Sequence, residues 1–263
     1  MHDQEKEVCD ETGFFLYLAL FSGIYRKSNE EWIHIRPYQE DLPNLDEILN
    51  DESYKAVIIP GSYLNIYSVT EEKFMIKTKN WIINLNNYLR NTENFKNINF
   101  KLLGICFGHQ LISYSLGAQV RKRLQGERCN IVENLKFTAI EGHNLSFFQG
   151  LFNRNFDAEK LNLCQIHYDE VFTMPNDMQK IAVSDSCNFE ILLSDNNRIL
   201  TFQGHPEYTP EYQLFDTFPQ KFKNKDFNQQ RNFSNDFLAI QYRNYQYSHI
   251  LREVCFNFIN FKY

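Results

Sequence analysis

The chain has 263 residues, of which 43% are hydrophobic and 23% are charged, a composition typical of a globular protein with one large core. The formal net charge of -6 and the pI near 5.7 exclude the basic surface that nucleic-acid-binding and anionic-membrane-binding proteins need. No apolar run reaches the roughly 18 residues of a membrane span, and the acidic first residues differ from a basic targeting leader, so we expect a cytoplasmic protein.

The six cysteines show no spacing typical of metal ligands; they stand at positions 9, 106, 129, 164, 187 and 255. In a reducing compartment we expect them to be free thiols. Cysteines of this kind are mostly small buried or surface residues, so the sequence predicts no metal site and no cofactor. Cys106 is the exception, because a motif surrounds it.

The first half of the chain alternates short apolar runs with longer amphipathic ones, which is typical of parallel strands joined by helices. Strands are predicted at residues 15–20, 32–35, 56–59 and 102–105. Helices are predicted at residues 71–90 and 107–116, and Gly117 stands where a glycine commonly ends a helix. Only residues 21–31 separate the first two strands, about the minimum length for a parallel crossover, so we expect a shortened helix there or none.

From residue 127 to 195 short alternating runs are separated by turn residues, which predicts antiparallel strands beside the parallel core. These strands are predicted at residues 137–140, 161–165, 181–183 and 190–193. A last core strand is expected at residues 198–202. The whole pattern predicts an α/β protein with an open, mostly parallel, flavodoxin-like sheet, flanking helices, a small antiparallel insertion and a C-terminal helix.

The C-terminal part of the chain differs in composition from the rest. Residues 221–232 are polar and linker-like, and Ser234 is a candidate cap for a helix whose apolar residues recur mostly every three or four positions. We therefore divide the chain into a main domain, residues 1–217, and a linker with an aromatic-rich helix, residues 218–263. The apolar face of that helix must be buried, either on its own domain or on a partner protein.

A glycine-flanked cysteine stands where a buried strand meets a helix. The residues are Gly104-Ile105-Cys106-Phe107-Gly108, an order typical of a nucleophile elbow with cysteine in place of serine. Glycines are needed there because the turn leaves no room for side chains beside a strained backbone. The N-terminus of the following helix favours thiolate over thiol. A buried structural cysteine is the alternative for this segment taken alone.

A second motif supplies the groups that a thiolate nucleophile needs. His205-Pro206-Glu207 follows the strand predicted at 198–202. Proline favours extended backbone before it, and in an extended segment residues two apart face the same side. The carboxylate of Glu207 can then accept a hydrogen bond from one nitrogen of His205 while the other nitrogen faces Cys106. The two motifs together predict a cysteine hydrolase with these three residues as its catalytic triad.

The segments 102–110 (LLGICFGHQ) and 203–208 (QGHPEY) resemble the two signatures of class I glutamine amidotransferases. Residues 60–62 (PGS) and 167–171 (HYDEV) extend the resemblance to free-standing members similar to plant γ-glutamyl peptidases and to GMP-synthase-like glutaminase domains. The resemblance covers roughly residues 14–215 and makes residues 1–217 the expected catalytic domain. It does not cover the tail.

The resemblance implies roles for the residues around the triad. The triad would form and then hydrolyse a γ-glutamyl thioester. Backbone N–H groups of Phe107 and of the loop at Gly61 and Ser62 would form the oxyanion hole, where the loss of one donor costs about 100- to 1,000-fold in rate. Gln110, one helical turn past Cys106, would line the glutamyl pocket, and a capping or solvated amide is the alternative.

The histidines near the two motifs are assigned differently. His167 and Asp169 match a His-x-Asp pair that the family often has near the mouth of the site, so His167 is a candidate substrate contact. A structural histidine fits position 167 equally well. His109 is expected to pack or to form a hydrogen bond. The loop at residues 62–67 lacks the short acidic element of relatives, so we expect an altered pocket rim.

Two classes of function follow from these observations. The first is a cytoplasmic cysteine hydrolase that cleaves a γ-glutamyl amide bond in glutamine, in γ-glutamyl peptides or in glutathione-like adducts. Its partner would be this small substrate, with no nucleic acid and no membrane. A glutaminase subunit that delivers ammonia to a separate synthase is an alternative with the same chemistry. The second is an inactive or weakly active protein of the same fold that serves as a binding or structural subunit, with the C-terminal helix contacting a partner protein. The short first crossover and the aromatic tail favour the second class, and the intact triad favours the first.

Overall fold

The computed structural model describes residues 29–91, 95–123, 129–138, 143–151, 161–208 and 248–260. The described strands form a six-stranded central sheet and two small sheets. The spatial order of the central sheet is β1 (Ala56–Ile59), β2 (Lys101–Ile105), β10 (Ile199–Phe202), β9 (Ile191–Ser194), β8 (Met178–Val183) and β5 (Lys136–Phe137).

The strands β1, β2 and β10 run parallel, and their carboxyl ends lie at one edge of the sheet. Gly104 of β2 pairs with Ile59 of β1 on one side and with Thr201 of β10 on the other. Residues 102–105 of β2 are all buried, as their apolar sequence predicts for a strand covered on both faces, and Lys101 is buried as well. Because the elbow follows β2 and the segment 203–207 follows β10, the two predicted motifs meet at this edge.

The antiparallel strands fall into two groups. β9, β8 and β5 continue the central sheet beyond β10 with antiparallel pairing. The others form two small sheets, β3 (Val120–Lys122) with β7 (Asp169–Val171) and β4 (Cys129–Asn134) with β6 (Asn162–His167). Among these strands, only β5, β6, β8 and β9 overlap strands predicted after residue 127. The predicted α/β fold, with an open sheet, small antiparallel sheets and a C-terminal helix, is therefore confirmed.

Helices cover both faces of the central sheet. Those among the described residues are α1 (Leu45–Asn50), α2 (Ile66–Val69), α3 (Lys73–Arg90), α4 (Phe107–Ser115), α5 (His143–Gly150) and α6 (Ser248–Asn260). Leu102 of β2 packs in a cluster with residues of α3 and α4, whereas Leu103 packs in a second cluster with residues of α5 and α6. Since neighbouring residues of a strand point to opposite faces, the sheet separates these two cores. No helix in the described ranges is long and apolar enough to cross a membrane.

The prediction of a strand at residues 32–35 is wrong. The structure assigns no strand there, and Ile33 is 64% exposed. A strand needs a neighbour to pair with, and within the described residues β1 pairs with β2 alone. The first predicted strand, residues 15–20, and most of the crossover at 21–31 lie outside the described residues, so those expectations stay predictions.

Helix α1 was not predicted, although its start carries a recognisable signal. The side chain of Asn44 accepts hydrogen bonds from the N–H groups of Asp46 and Glu47 at 2.9 and 3.4 Å. An asparagine cap followed by two acidic residues in the first turn is a typical helix start. The short helices α2 and α5 were missed as well.

The C-terminal helix packs on the same core as the parallel strands. Leu251, Val254 and Phe258 of α6 are fully buried and belong to the cluster that contains Leu103 of β2. Of the two predicted destinations for its apolar face, the described part of this helix therefore takes its own domain. The predicted start at Ser234 lies outside the described residues.

Candidate active site

Cys106 lies in the turn between β2 and α4, at the carboxyl edge of the parallel strands. Its backbone φ of 51° and ψ of -102° lie outside the regions that non-glycine residues prefer. Its N–H donates to the Phe202 carbonyl at 2.8 Å, and its carbonyl accepts from the Gln110 N–H at 3.0 Å. A strained residue fixed in this way at the end of a buried strand has the geometry of a nucleophile elbow.

The flanking glycines permit very close packing of α4 against β1 and β2. A Cβ atom added at Gly108 would lie 1.9 Å from the carbonyl oxygen of Ile59. A Cβ atom added at Gly104 would lie 2.6 Å from Cδ1 of Ile112. The N–H of Gly108 also donates to the Pro60 carbonyl at 3.2 Å. The start of α4 is therefore held against the loop that follows β1.

The side chains of His205 and Glu207 lie together, as their motif predicts. Nδ1 of His205 is 2.7 Å from Oε1 of Glu207, and the two residues are 2% and 0% exposed. The His205 N–H donates to the Cys164 carbonyl of β6 at 2.7 Å. A side chain at position 204 would collide with that carbonyl, because the Cβ of Gly204 would lie 2.6 Å from its oxygen. Both the backbone and the ring of the histidine are therefore fixed.

The surroundings of His205 favour its charged form. Burial alone would lower the pKa of His205, but the Glu207 carboxylate and the Cys106 side chain raise it to about 10 through charge and hydrogen bonding. Because Glu207 contacts Nδ1, the nitrogen that faces Cys106 is Nε2. His205 therefore lies between a carboxylate and a sulfur with its pKa raised, an arrangement that suits a cysteine nucleophile.

Four further cysteines lie in the described part of the chain, and all are buried: Cys129, Cys164, Cys187 and Cys255. Burial raises the pKa of Cys129 to about 11, and it raises the pKa values of Cys164 and Cys187 well above the usual range. Buried thiols of this kind stay protonated and unreactive at neutral pH. The imidazole partner distinguishes Cys106 from them.

Gln110 and His167 meet at one backbone carbonyl. Nε2 of Gln110 donates to the Asp169 carbonyl at 3.0 Å and approaches Oε1 of Gln203 at 3.3 Å. Nδ1 of His167 lies 2.7 Å from the same Asp169 carbonyl. Both side chains are buried. The structure thus brings these two predicted residues together beside the elbow helix and ties each of them to the protein itself.

The predicted oxyanion residues lie around the start of α4. Phe107 is the first residue of that helix, and Gly61 is buried in the loop that the Gly108 N–H anchors through Pro60. The hydroxyl of Ser62 accepts a hydrogen bond from the Leu64 N–H at 3.2 Å, so it stabilises the loop. The three predicted positions therefore belong to two segments in direct contact.

His109 is buried in the core, as predicted for a packing residue. Its Nδ1 lies 2.8 Å from the hydroxyl of Thr201 in β10. Burial, with a smaller effect from His167, lowers the pKa of His109 to about 3, so this ring is neutral at physiological pH.

Two contacts near the site were not predicted. The hydroxyl of Tyr67 in α2 donates to Oδ1 of Asp169 at 3.1 Å, and burial raises the pKa of that carboxyl although the Tyr67 hydrogen bond and Lys122 act to lower it. The sulfur of Cys106 lies 3.7 Å from the Ile166 carbonyl of β6. Tyr67 and Asp169 are 102 positions apart, so no local pattern in the sequence could have linked them.

Residues 25–224 match the protein family Glutamine amidotransferase class-I. The chain is similar to gamma-glutamyl peptidase 2 of Arabidopsis thaliana, with 30% identity over 201 residues that cover 75% of this chain and 70% of that one. It is also similar to gamma-glutamyl peptidase 4 of the same plant, with 25% identity over 247 residues, 92% of this chain and 87% of the relative. A solved glutamine amidotransferase from Thermotoga maritima has the same fold, with a TM-score of 0.61, 18% identity and 92% coverage of each chain. As its two motifs predict, the chain belongs to the class-I glutamine amidotransferase family.

Proposed function

We propose that this protein is a cysteine hydrolase that cleaves the γ-glutamyl amide bond of a small peptide or glutathione-like adduct. One observation carries the proposal: His205 is held between the Glu207 carboxylate and the side chain of Cys106, which occupies a strained elbow. A nucleophile, a proton carrier and an orienting group in this order are what acyl transfer requires.

The reaction would proceed in two steps, formation of a thioester and its hydrolysis. The Cys106 thiolate attacks the γ-carbonyl carbon, and His205 gives its proton to the nitrogen of the leaving amine as the C–N bond breaks. The product is a γ-glutamyl thioester and a free amine. Water then attacks the thioester carbonyl and loses a proton to His205, which releases glutamate and restores the thiolate–imidazolium pair.

The start of α4 would stabilise the oxyanion that each half creates. The N–H of Gly108 is already engaged by the Pro60 carbonyl, so the Phe107 N–H is the candidate donor from the first turn. The adjacent loop at Gly61 and Ser62 would supply the second donor. Removing one such donor typically costs about 100- to 1,000-fold in rate.

The α-ammonium group of a glutamyl substrate would bind Asp169. This carboxylate is 3% exposed, and the hydrogen bond that it accepts from Tyr67 comes from a neutral group. Its backbone carbonyl contacts Gln110, one helical turn from the nucleophile. A substrate ammonium would add a second positive charge, besides that of Lys122, next to a carboxylate that burial largely desolvates.

The named relatives favour a peptidase over an ammonia-supplying glutaminase, because two of them are gamma-glutamyl peptidases that align with 75% and 92% of this chain. The described part of the tail gives no support to the alternative of a structural subunit, since the apolar residues of α6 pack in the core of its own domain.

A substrate panel tests the proposal. The wild-type protein is incubated with free glutamine, γ-glutamyl dipeptides, glutathione and glutathione conjugates, and released glutamate is measured. We expect release from γ-glutamyl peptides or conjugates and none from the Cys106→Ser variant, which is the matched control. Preference for free glutamine would make the protein a glutaminase. A folded wild-type protein that releases glutamate from no member of the panel would refute the proposal.

A further inference from the structure

Tyr208 stacks face to face on the imidazole ring of His205. The two ring centroids are 4.1 Å apart, and the ring planes differ by 5°. The Tyr208 N–H donates to the His205 carbonyl at 3.3 Å, which folds the chain into a turn that brings the phenol ring over the imidazole. Tyr208 is 1% exposed and is one of the largest fully buried side chains among the described residues.

The phenol ring is itself held by the strands that support the site. Tyr208 forms a small apolar cluster with Val132 of β4 and with Cys164 and Ile166 of β6. The same two residues of β6 contact the triad through their backbone carbonyls. The Cys164 carbonyl accepts a hydrogen bond from the backbone N–H of His205 at 2.7 Å, and the Ile166 carbonyl lies 3.7 Å from the Cys106 sulfur. The ring therefore has one fixed position, against the imidazole.

The titratable groups around His205 do not occupy the ring face on which Tyr208 stacks. Glu207 contacts the edge of the ring at Nδ1, and Cys106 is its other titratable partner. From β6 comes Cys164, which burial keeps as a neutral thiol by raising its pKa, and Arg252 of α6 acts on that thiol. None of these groups lies in the stacked position that Tyr208 occupies.

A π face is a more favourable neighbour for an imidazolium than for neutral imidazole. The face of an aromatic ring carries partial negative charge, so it attracts a cation placed over it, and the attraction strengthens where water is excluded. Burial disfavours the charged form of His205. The partial negative charge on the face of a stacked ring offsets part of this desolvation penalty, although the ring itself is neutral.

From this geometry we infer that Tyr208 is a positioning residue that stabilises the imidazolium of His205, and thereby the thiolate of Cys106, through the face of its ring. The inference deepens the proposed hydrolase and rests on its thiolate–imidazolium pair, but it needs no γ-glutamyl substrate. The hydroxyl of Tyr208 has no part in it, whereas the π electrons are essential.

The test measures alkylation of Cys106 by iodoacetamide as a function of pH. Two folded variants form a matched pair of nearly equal shape: Tyr208→Phe keeps the π face, and pentafluorophenylalanine incorporated at position 208 reverses its charge distribution. The Cys106→Ser variant provides the blank. We expect Tyr208→Phe to match wild type, and the fluorinated ring to move the midpoint of alkylation up by about one pH unit.

A ring with three fluorine atoms should give an intermediate midpoint, which also serves if the fully fluorinated variant does not fold. Midpoints that stay equal across the folded fluorinated series would overturn the inference, as would a Tyr208→Phe midpoint displaced as far as the fluorinated ones. If the proposed hydrolase activity is wrong, only the substrate panel will reveal it. Alkylation reports on the ion pair of Cys106 and His205 whether or not the protein hydrolyses a γ-glutamyl amide.

Discussion

Two buried histidines lie beside β10, and their pKa values are shifted in opposite directions. The pKa of His109 is lowered by burial to about 3, whereas that of His205 is raised to about 10 although burial acts on it in the same direction. The neighbour of His109 is the neutral hydroxyl of Thr201, and the neighbour of His205 is the carboxylate of Glu207. Burial therefore does not decide which histidine is charged; the chemistry of the partner does.

The largest difference should appear when each ring is removed. His205→Ala deletes the proposed proton carrier, and general acid–base catalysis is typically worth about 100- to 10,000-fold, so we expect a loss of kcat of that order. His109→Asn keeps a polar atom near Thr201 and should retain turnover close to wild type. Steady-state kinetics on the best substrate of the panel compare the two. Similar turnover in both folded variants would contradict the assignment.

Replacing the partner should cost less than replacing the ring. Glu207→Gln keeps the shape of the side chain but removes its charge, which lowers the pKa of His205 and weakens the imidazolium. We expect measurable activity, reduced by less than the roughly 100- to 10,000-fold range expected for His205→Ala. A kcat/KM profile against pH measures the effect. An unchanged profile would show that the carboxylate does not orient or charge the ring.

Stability should depend on pH in opposite windows for the two histidines. The folded pKa of His205 is about 10 against an ordinary 6.5, so its contribution is complete below about pH 6.5 and is lost as the pH rises towards 10. The folded pKa of His109 is about 3, so stability falls as the pH drops below about 6.5, because the unfolded chain binds the proton more readily.

Chemical unfolding at a series of pH values measures both windows. Glu207→Gln should flatten the alkaline decline, and His109→Asn should flatten the acid decline. If Glu207→Gln leaves the alkaline decline unchanged and His109→Asn leaves the acid decline unchanged, other groups control the pH dependence of stability. The two histidines would then not differ in the way described above.

The smallest effect should follow loss of the hydroxyl beside His109. Thr201→Val keeps the volume of the side chain and leaves Nδ1 of His109 without its 2.8 Å partner. An unsatisfied buried polar atom costs about 1–3 kcal/mol, so the free energy of unfolding should fall by that amount while kcat stays at the wild-type value. A change in kcat larger than the change in stability would imply that Thr201 also shapes the site.

The sequence predicts the parts of the site that are local. Cys106 and its glycines, and the pair His205 and Glu207, each lie within a few residues of one another, and strand-end geometry is enough to orient them. The register of β1, β2 and β10 then brings the two motifs to one edge, which an alternating α/β pattern implies.

The contacts that sequence analysis missed are the distant ones. Asp169 meets Tyr67, and the Cys106 sulfur meets the Ile166 carbonyl, only because β6 and β7 return beside the elbow. Pairing of this kind depends on the whole sheet and leaves no periodic signal. The wrong prediction at residues 32–35 has a related origin. Apolar residues favour a strand, but a strand forms only where a neighbouring strand is available for pairing, and that depends on the rest of the fold.

The packing of α6 against β2 has a consequence for biosynthesis. Phe258 closes the core face to which Leu103 belongs, and the two residues are 155 positions apart in the chain. At a synthesis rate of about 5 to 20 residues per second, α6 is completed roughly 8 to 30 seconds after β2. During that interval the part of the apolar face of β2 that α6 covers is open to chaperones and to other nascent chains. A premature stop before residue 248 would make that exposure permanent and would direct the product to aggregation or degradation.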